Sequence, residues 1–385
     1  MIGIFCKVSV LAALLVASYG VFFFRAITMA GKDFSNVEKL LMDYMSVDST
    51  TGNEGAFGKM VKAGLKHNGW IVVKQALDDN PSRFNLLATR KPLDKFSPRI
   101  VFNTHLDTVP PFIPPTEDEE KIYGRGSCDA KGQMACMICA AQALVETAPD
   151  VAEQVALLFV VGEEVDHVGM QKANEFNALQ PEYLVVGEPT ELKFATIQKG
   201  ALKVIVRCKG RAGHSGYPSE GESAIHKLIP VLNDVLNYKW PSDKTYGKYS
   251  RATTVNIGII EGGQAQNAWA EDAYARIFVR VTTSVAHVQK KLEHIVAGRA
   301  SIEVTSYNEP VVLSNPPLPH QVTDQVAFNT DLPYYSRLSS LKGKYLYGAG
   351  TIKVAHSQRE FVTKIQLHAC RDTLIALVLE LCSDE

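Results

Sequence analysis

The spacing of apolar residues changes character along the chain. From residue 36 to residue 70 they recur three and four apart, with Val37, Leu40, Leu41 and Tyr44 on one face and Phe57, Met60, Val61 and Leu65 on another, which predicts two amphipathic helices. The turn-forming run SVDSTTGNEG at 46–55 separates them. Strands follow at 71–73 and 85–88, and an apolar run at 100–102 reads as a buried strand that ends at His105. Met134, Met137, Ile138, Ala141, Leu144 and Val145 form a helical stripe suited to packing on a sheet. The run VALLFVV at 155–161 is apolar on both faces, so it belongs in the middle of a covered sheet. Another apolar run at 183–186, and a last one from 345 toward 354, complete an α/β pattern.

Between 197 and 307 the texture is different. Alternation over 202–207 predicts a half-exposed strand, followed by a helix at 223–238, strands at 253–260 and 274–281, a helix at 285–295 and a strand at 301–307. This β-α-β-β-α-β order is the ferredoxin-like unit. The chain is therefore read as α/β, a mixed central sheet flanked by helices, with an α+β domain inserted. Residues 33–196 form the first part of the main domain and 197–307 the insert, while 308–385 return to the main domain and add a closing helix at 363–382.

Composition narrows this further. The 385 residues, 46% hydrophobic and 21% charged, suffice for two globular domains. A formal net charge of -1 without any basic block excludes a nucleic-acid partner on electrostatic grounds. The 7 cysteines lack the spacing of a disulfide framework, and the CxxC at 136–139 falls inside a predicted helix with no second pair, so these thiols read as small core residues. Residues 1–30 stand apart. Their uncharged run at 8–24, between Lys7 and Arg25, suits a signal peptide cleaved near Ala17, Ser18 or Gly20, and equally an uncleaved anchor attaching the chain to a membrane. Both imply the secretory route; if Met29 is the start, the chain is cytoplasmic.

Residues able to do chemistry collect where the predicted strands end, the edge at which open α/β sheets bind ligands. The strand ending at His105 also delivers Asp107, two residues on and pointing the same way. Asp129, in GRGSCDAKG, precedes a helix and is placed to cap it. The next strands hand over Glu163 and Glu164, then Glu188, and the last apolar run leads to His356. Adjacent carboxylates beside a buried strand repel each other unless positive charge lies between them. The working hypothesis is that His105, Asp129, Glu164, Glu188 and His356 bind two zinc ions, with cobalt or manganese as substitutes and Asp129 as the bridge. Two ions roughly 3.5–4 Å apart can clamp a hydrolytic water and a scissile carbonyl. Asp107 then accepts the second ring N–H of His105, and Glu163 is left as general base. In the insert, His214 lies in GHSG at 213–216, either an incidental imidazole in a turn or a group that stabilises an oxyanion. Arg280, at a strand end, is either a solvated surface residue or a fork for a substrate carboxylate.

The motifs HLDTVP (105–110), YGRGSCDAKG (123–132), GEE (162–164), GEPT (187–190), KG (199–200), GHSG (213–216), GGQAQN (262–267) and GAGTIKVAHSQREF (348–361) occur in one order along most of the chain. In that order the chain resembles the dizinc peptidase and deacylase family of acetylornithine deacetylase, succinyl-diaminopimelate desuccinylase, aminoacylase and glutamate carboxypeptidase. HLDTVPPFIP and IYGRGSCDAKG are especially similar to its fungal secreted carboxypeptidase-like branch, which tends to carry an N-terminal signal. The resemblance implies a zinc-binding catalytic domain and a smaller lid domain through which the protein forms a homodimer. It also implies the five ligands named above, Asp107 in support of His105, and Glu163 as base. His214 would reach the other subunit's site, and Asn267 and Arg280 would face the substrate.

Two departures qualify this correspondence. Arg280 lacks an acidic residue two positions before it and a proline after it, and Glu188 stands where many peptidase relatives have Asp. The implied activity is zinc-dependent hydrolysis of the amide bond in N-acyl amino acids or small peptides with a free carboxylate, of deacetylase or carboxypeptidase type. The alternative, a catalytically silent metal-binding scaffold of the same fold, is disfavoured because every ligand position and Glu163 are filled.

Overall fold

The computed structural model describes residues 31–240 and 252–383. The hydrophobic segment expected at 1–30 lies outside the described residues. Among them no helix is long and apolar enough to cross a membrane.

Helices α1 (Val37–Met45) and α2 (Gly55–His67) precede strands β1 (Ile71–Ala76), β2 (Phe84–Thr89), β3 (Ile100–His105), β4 (Thr116–Glu117) and β5 (Lys121–Tyr123). Then come α3 (Lys131–Thr147), α4 (Pro149–Glu153), β6 (Val155–Val160), α5 (Val168–Ala173) and β7 (Tyr183–Val186). The middle of the chain supplies β8 (Phe194–Gln198), β9 (Gly200–Lys209), α6 (Ala224–Asn237), β10 (Thr254–Gly262), β11 (Asp272–Val281) and α7 (Val285–Val296). It continues with β12 (Ser301–Asn308), β13 (Val311–Val312) and β14 (Thr323–Val326). Strands β15 (Gly343–Leu346) and β16 (Phe361–Thr363) lead into α8 (Lys364–Ser383).

These elements make two compact units. The first runs through Leu192 and regains Pro316–His320 and the chain from Ser339; the second comprises Lys193–Asn315 and Gln321–Leu338. The boundary drawn at 307 from sequence is corrected by strand pairing. β13 pairs antiparallel and β14 parallel with β8, so residues 308–315 and 321–338 stay with the second unit.

The first unit is built on a sheet of order β1-β2-β6-β3-β7-β15. β1, β2 and β6 run antiparallel, and β6, β3, β7 and β15 parallel. β2, β3 and β6 are buried at every position, as expected of strands covered on both faces. The parallel ladders align their ends: His105 is opposite Val160, and Asn103 is opposite Val186. The residues that follow β3, β6 and β7 therefore emerge along one edge.

Helix α3 is less amphipathic than its sequence suggested. It is buried from Lys131 through Ala141 because α1 and α8 cover the face turned away from β3. Its thiols Cys136 and Cys139 are core residues.

The second unit has the expected ferredoxin-like sheet, β10-β11-β9-β12, antiparallel throughout. β11 alternates in burial along most of its length, one face packing with Leu228, Val231, Val288 and Leu292 of α6 and α7. Those helices start where a serine can cap them: Ser223 Oγ accepts the His226 N–H at 3.4 Å, and Ser284 Oγ accepts the His287 N–H at 3.2 Å.

Leu157, fully buried in β6 between two paired strands, tests this core. Leu157→Ala is expected to destabilise the protein by about 2–5 kcal/mol through the lost transfer energy and the cavity left behind. The check is chemical denaturation against the parent chain.

Candidate metal centre

The edge of the first unit's sheet gathers the predicted ligands. His105 Nε2 lies 3.1 Å from Asp129 Oδ1 and 3.8 Å from Glu188 Oε1. His356 Nε2 lies 3.1 Å from Asp129 Oδ2 and 3.1 Å from Glu164 Oε2. Two imidazoles thus address opposite oxygens of one carboxylate, the disposition needed for Asp129 to bridge two cations. The ligand atoms of His105, Glu163 and Glu188 lie within 4.8 Å of one another, as do those of His105, Asp129 and Glu164.

Asp107 does something other than expected. The Nδ1 of His105 is 2.8 Å from the Asp107 backbone carbonyl oxygen and 3.7 Å from its carboxylate, so the carbonyl fixes the ring. The carboxylate instead accepts the backbone N–H groups of Glu163 and Glu164, each at 3.2 Å, and the Thr51 hydroxyl at 2.9 Å. Asp107 therefore holds the turn that presents both glutamates. Thr51 carries no signal of this in its polar loop.

Asp129 is not the helix cap expected from sequence. The N-cap of α3 is Ala130, without a side-chain hydrogen bond, and the Asp129 carboxylate is committed to the imidazoles. The Asp129 backbone is held from another direction. Glu360 Oε1 accepts the N–H groups of Gly126 at 3.0 Å, Cys128 at 3.2 Å and Asp129 at 3.2 Å, while Arg125 Nη1 donates to Glu360 Oε2 at 2.5 Å. Arg125 and Glu360 received no role from sequence; opposite charges in the segments carrying Asp129 and His356 were the available signal. Gln133 joins the same two segments, donating to the Cys128 and Ala349 carbonyls at 2.7 Å and accepting the Ala349 N–H at 2.9 Å. The loop after Glu188 docks on that of His356 through the N–H of Glu191 to Gly350 O at 2.8 Å and of Leu192 to Gly348 O at 3.0 Å.

Electrostatics reflect this crowding. Burial lowers the His105 pKa, yet its hydrogen bond to Asp129 and the charges of Glu188, Glu163 and Asp107 outweigh that and raise it well above the usual imidazole range. Hydrogen bonds to Asp129 and Glu164 push His356 up to about 10. Burial and the charge of Asp129 raise Glu164. Asp129 is itself held low: burial opposes its ionisation, but the hydrogen bonds from His105 and His356 prevail. The cluster attracts positive charge, and Glu164 Oε1 is buried without a hydrogen-bond partner. Imidazole and carboxylate donors with an orphaned carboxylate oxygen fit a site for divalent cations. Cys128 does not join them; burial pushes its thiol up, and its Sγ faces Glu360 and the Thr351 carbonyl.

In the second unit the GHSG and GGQAQN motifs meet. His214 and Ala268 form a β-bridge, and the Ser215 N–H donates to the Asn267 carbonyl at 3.0 Å. His214 Nδ1 accepts the Gly216 N–H at 3.1 Å, leaving the ring exposed beside Tyr217. Arg280 lies in β11 with its guanidinium over the Phe278 ring, 4.2 Å from the centroid.

Replacing Glu360 with Ala leaves the guanidinium of Arg125 buried without its counter-charge and three backbone N–H groups without their acceptor. The expected cost is about 3–5 kcal/mol, read by chemical denaturation, together with reduced metal content by elemental analysis as Asp129 loses its backbone anchor.

The pattern of peptidase family M20/M25/M40 matches residues 101–380. A peptidase M20 domain-containing protein of Schizosaccharomyces pombe is 36% identical over 347 residues, 89% of this chain and 83% of that protein. A probable carboxypeptidase of Aspergillus fumigatus is 34% identical over 383 residues, 87% of this chain and 85% of that protein. The fold is similar to an M20 family metallo-carboxypeptidase of Sulfolobus solfataricus, with a TM-score of 0.70 at 14% identity, covering 89% of this chain and 98% of the other. The chain belongs to peptidase family M20/M25/M40 and is a hydrolase of peptide bonds that uses a metal cofactor.

Proposed function

We propose that the protein is a zinc-dependent carboxypeptidase acting on small peptides with a free carboxylate. The observation that carries this is the pair of imidazoles facing opposite oxygens of Asp129, with Glu163 beside them outside that bridge. Names of relatives favour peptides over N-acyl amino acids. His105, Asp129, Glu164, Glu188 and His356 would hold two zinc ions, which when bound supply the Lewis acidity that polarises the scissile carbonyl and acidifies water.

The protein's own residues do the rest. Glu163, held by its backbone N–H on Asp107, takes a proton from the attacking water as the new C–O bond forms. It returns that proton to the nitrogen as the C–N bond breaks, so that an amine leaves. Asp107 and the Asp107 carbonyl fix the Glu163–Glu164 turn and the His105 ring.

For the second unit the proposal follows the resemblance. His214 steadies the oxyanion in the other subunit of a homodimer, Asn267 faces the substrate, and Arg280 receives the substrate carboxylate in its fork. The hydrophobic run at 8–24 is proposed to direct the chain into the secretory pathway, as a cleaved signal or a membrane anchor, which mass spectrometry of the mature N-terminus distinguishes.

Glu163→Gln is expected to keep its metal content and lose roughly 10²–10⁴-fold in turnover. The assay is a panel of dipeptides and N-acetyl amino acids with and without a chelator, alongside elemental analysis. Dipeptide cleavage abolished by the chelator supports the reading; preference for N-acetyl amino acids makes the protein a deacylase, and turnover that survives Glu163→Gln removes Glu163 as base.

A further inference from the structure

The turn that follows β6 carries an imidazole that the mechanism above leaves unused. His167 Nδ1 lies 3.8 Å from Glu163 Oε1, and the two side chains are only 9% and 11% exposed. The imidazole is put there by the backbone. His167 has φ 58 and ψ 23, in the left-handed region, and its N–H donates to the Gly162 carbonyl at 2.7 Å, while the Gly169 N–H returns to the Val161 carbonyl at 2.9 Å. The chain thus curls back on the end of β6 and points residue 167 at residue 163.

A left-handed backbone strains most residues with a Cβ, whereas glycine adopts it freely and Asn, Asp and His more readily than the rest. The sequence places histidine there, with its Nδ1 3.8 Å from the Glu163 carboxylate and both side chains largely shielded from water behind the exposed Val165 and Asp166. Asp107 fixes the Glu163 backbone N–H at 3.2 Å but leaves the Glu163 side-chain torsions to be set by neighbours.

We infer that His167 is a positioning residue for Glu163: its imidazole, beside Oε1, holds the carboxylate in one orientation toward the attacking water. The inference rests on Glu163 being the general base.

The test uses two variants that both suit a left-handed backbone. His167→Gly deletes the ring, and His167→Asn returns a polar nitrogen near the place of Nδ1. Both are measured on the full chain with a dipeptide that the parent cleaves, beside Glu163→Gln, with elemental analysis and thermal unfolding in parallel. His167→Gly is expected to lower kcat roughly ten- to a hundredfold, with KM, metal content and thermal midpoint close to the parent, and His167→Asn to recover most of the loss. Parental kcat in His167→Gly while Glu163→Gln is inactive overturns the inference and leaves the base in place. A loss that Asn fails to restore, or one that tracks metal content or thermal midpoint, also overturns it. Activity in Glu163→Gln overturns the reading beneath it instead.

Discussion

Burying several carboxylates at one sheet edge is electrostatically costly, and much of the first unit is arranged around that cost. Two unit charges 4 Å apart interact by about 4 kcal/mol at an effective dielectric of 20, so Asp107, Asp129, Glu164, Glu188 and Glu360, all buried or nearly so, could not ionise together unaided. The protein divides them. Glu360 and Asp107, the outer pair, are satisfied from within by backbone N–H groups, with Arg125 on Glu360 and the Arg83–Glu54 pair bringing a guanidinium toward Asp107. Asp129, Glu164 and Glu188 face the imidazoles and are left for cations to neutralise. The outer pair builds the frame, and the inner set retains affinity for positive charge because the frame has not consumed it.

Backbone strain follows the same division. His356, Glu191 and Leu192 all have positive φ, and all lie in the two loops that carry Glu188 and His356. Such conformations cost of order 1–3 kcal/mol each and persist where surrounding contacts over-determine them. Here those contacts are the Glu191 and Leu192 N–H groups on Gly350 and Gly348, and the Thr351 hydroxyl on Glu191 at 2.7 Å. The fully buried strands β2, β3 and β6 supply the stability that offsets this expense, which is why the strained residues follow strand ends instead of interrupting the strands.

The second unit solves a different problem with less charge. Its sheet has a core of its own, and its two glycine-flanked motifs, far apart in sequence, are joined by main-chain bonds: His214 bridges Ala268, Ser215 reaches Asn267, and the Trp269 N–H reaches the Gly213 carbonyl at 2.9 Å. Backbone pairing of this kind fixes the position of His214 without burying its ring.

How much of this could be read from the chain depends on which interaction decided each position. The strands, the ferredoxin-like insert and the row of His and Glu residues at strand ends were legible because burial writes a period into the sequence and a parallel sheet aligns whatever follows its strands. Asp129 was read both as a helix cap and as the bridge between cations, and only the cap failed, because an Asp before a helix looks the same whether its oxygens serve a backbone N–H or two imidazoles. The boundary at 307 was missed because β13 and β14 are too short to carry a pattern and are held by β8, more than a hundred residues earlier. Arg125 and Glu360 sat in motifs already singled out, yet their pairing across 235 residues leaves no periodic trace. Periodicity reports which face of an element is buried, whereas a buried ion pair is specified only by closure of the whole chain. The residues that orient the candidate ligands are for that reason harder to read from one sequence than those candidates.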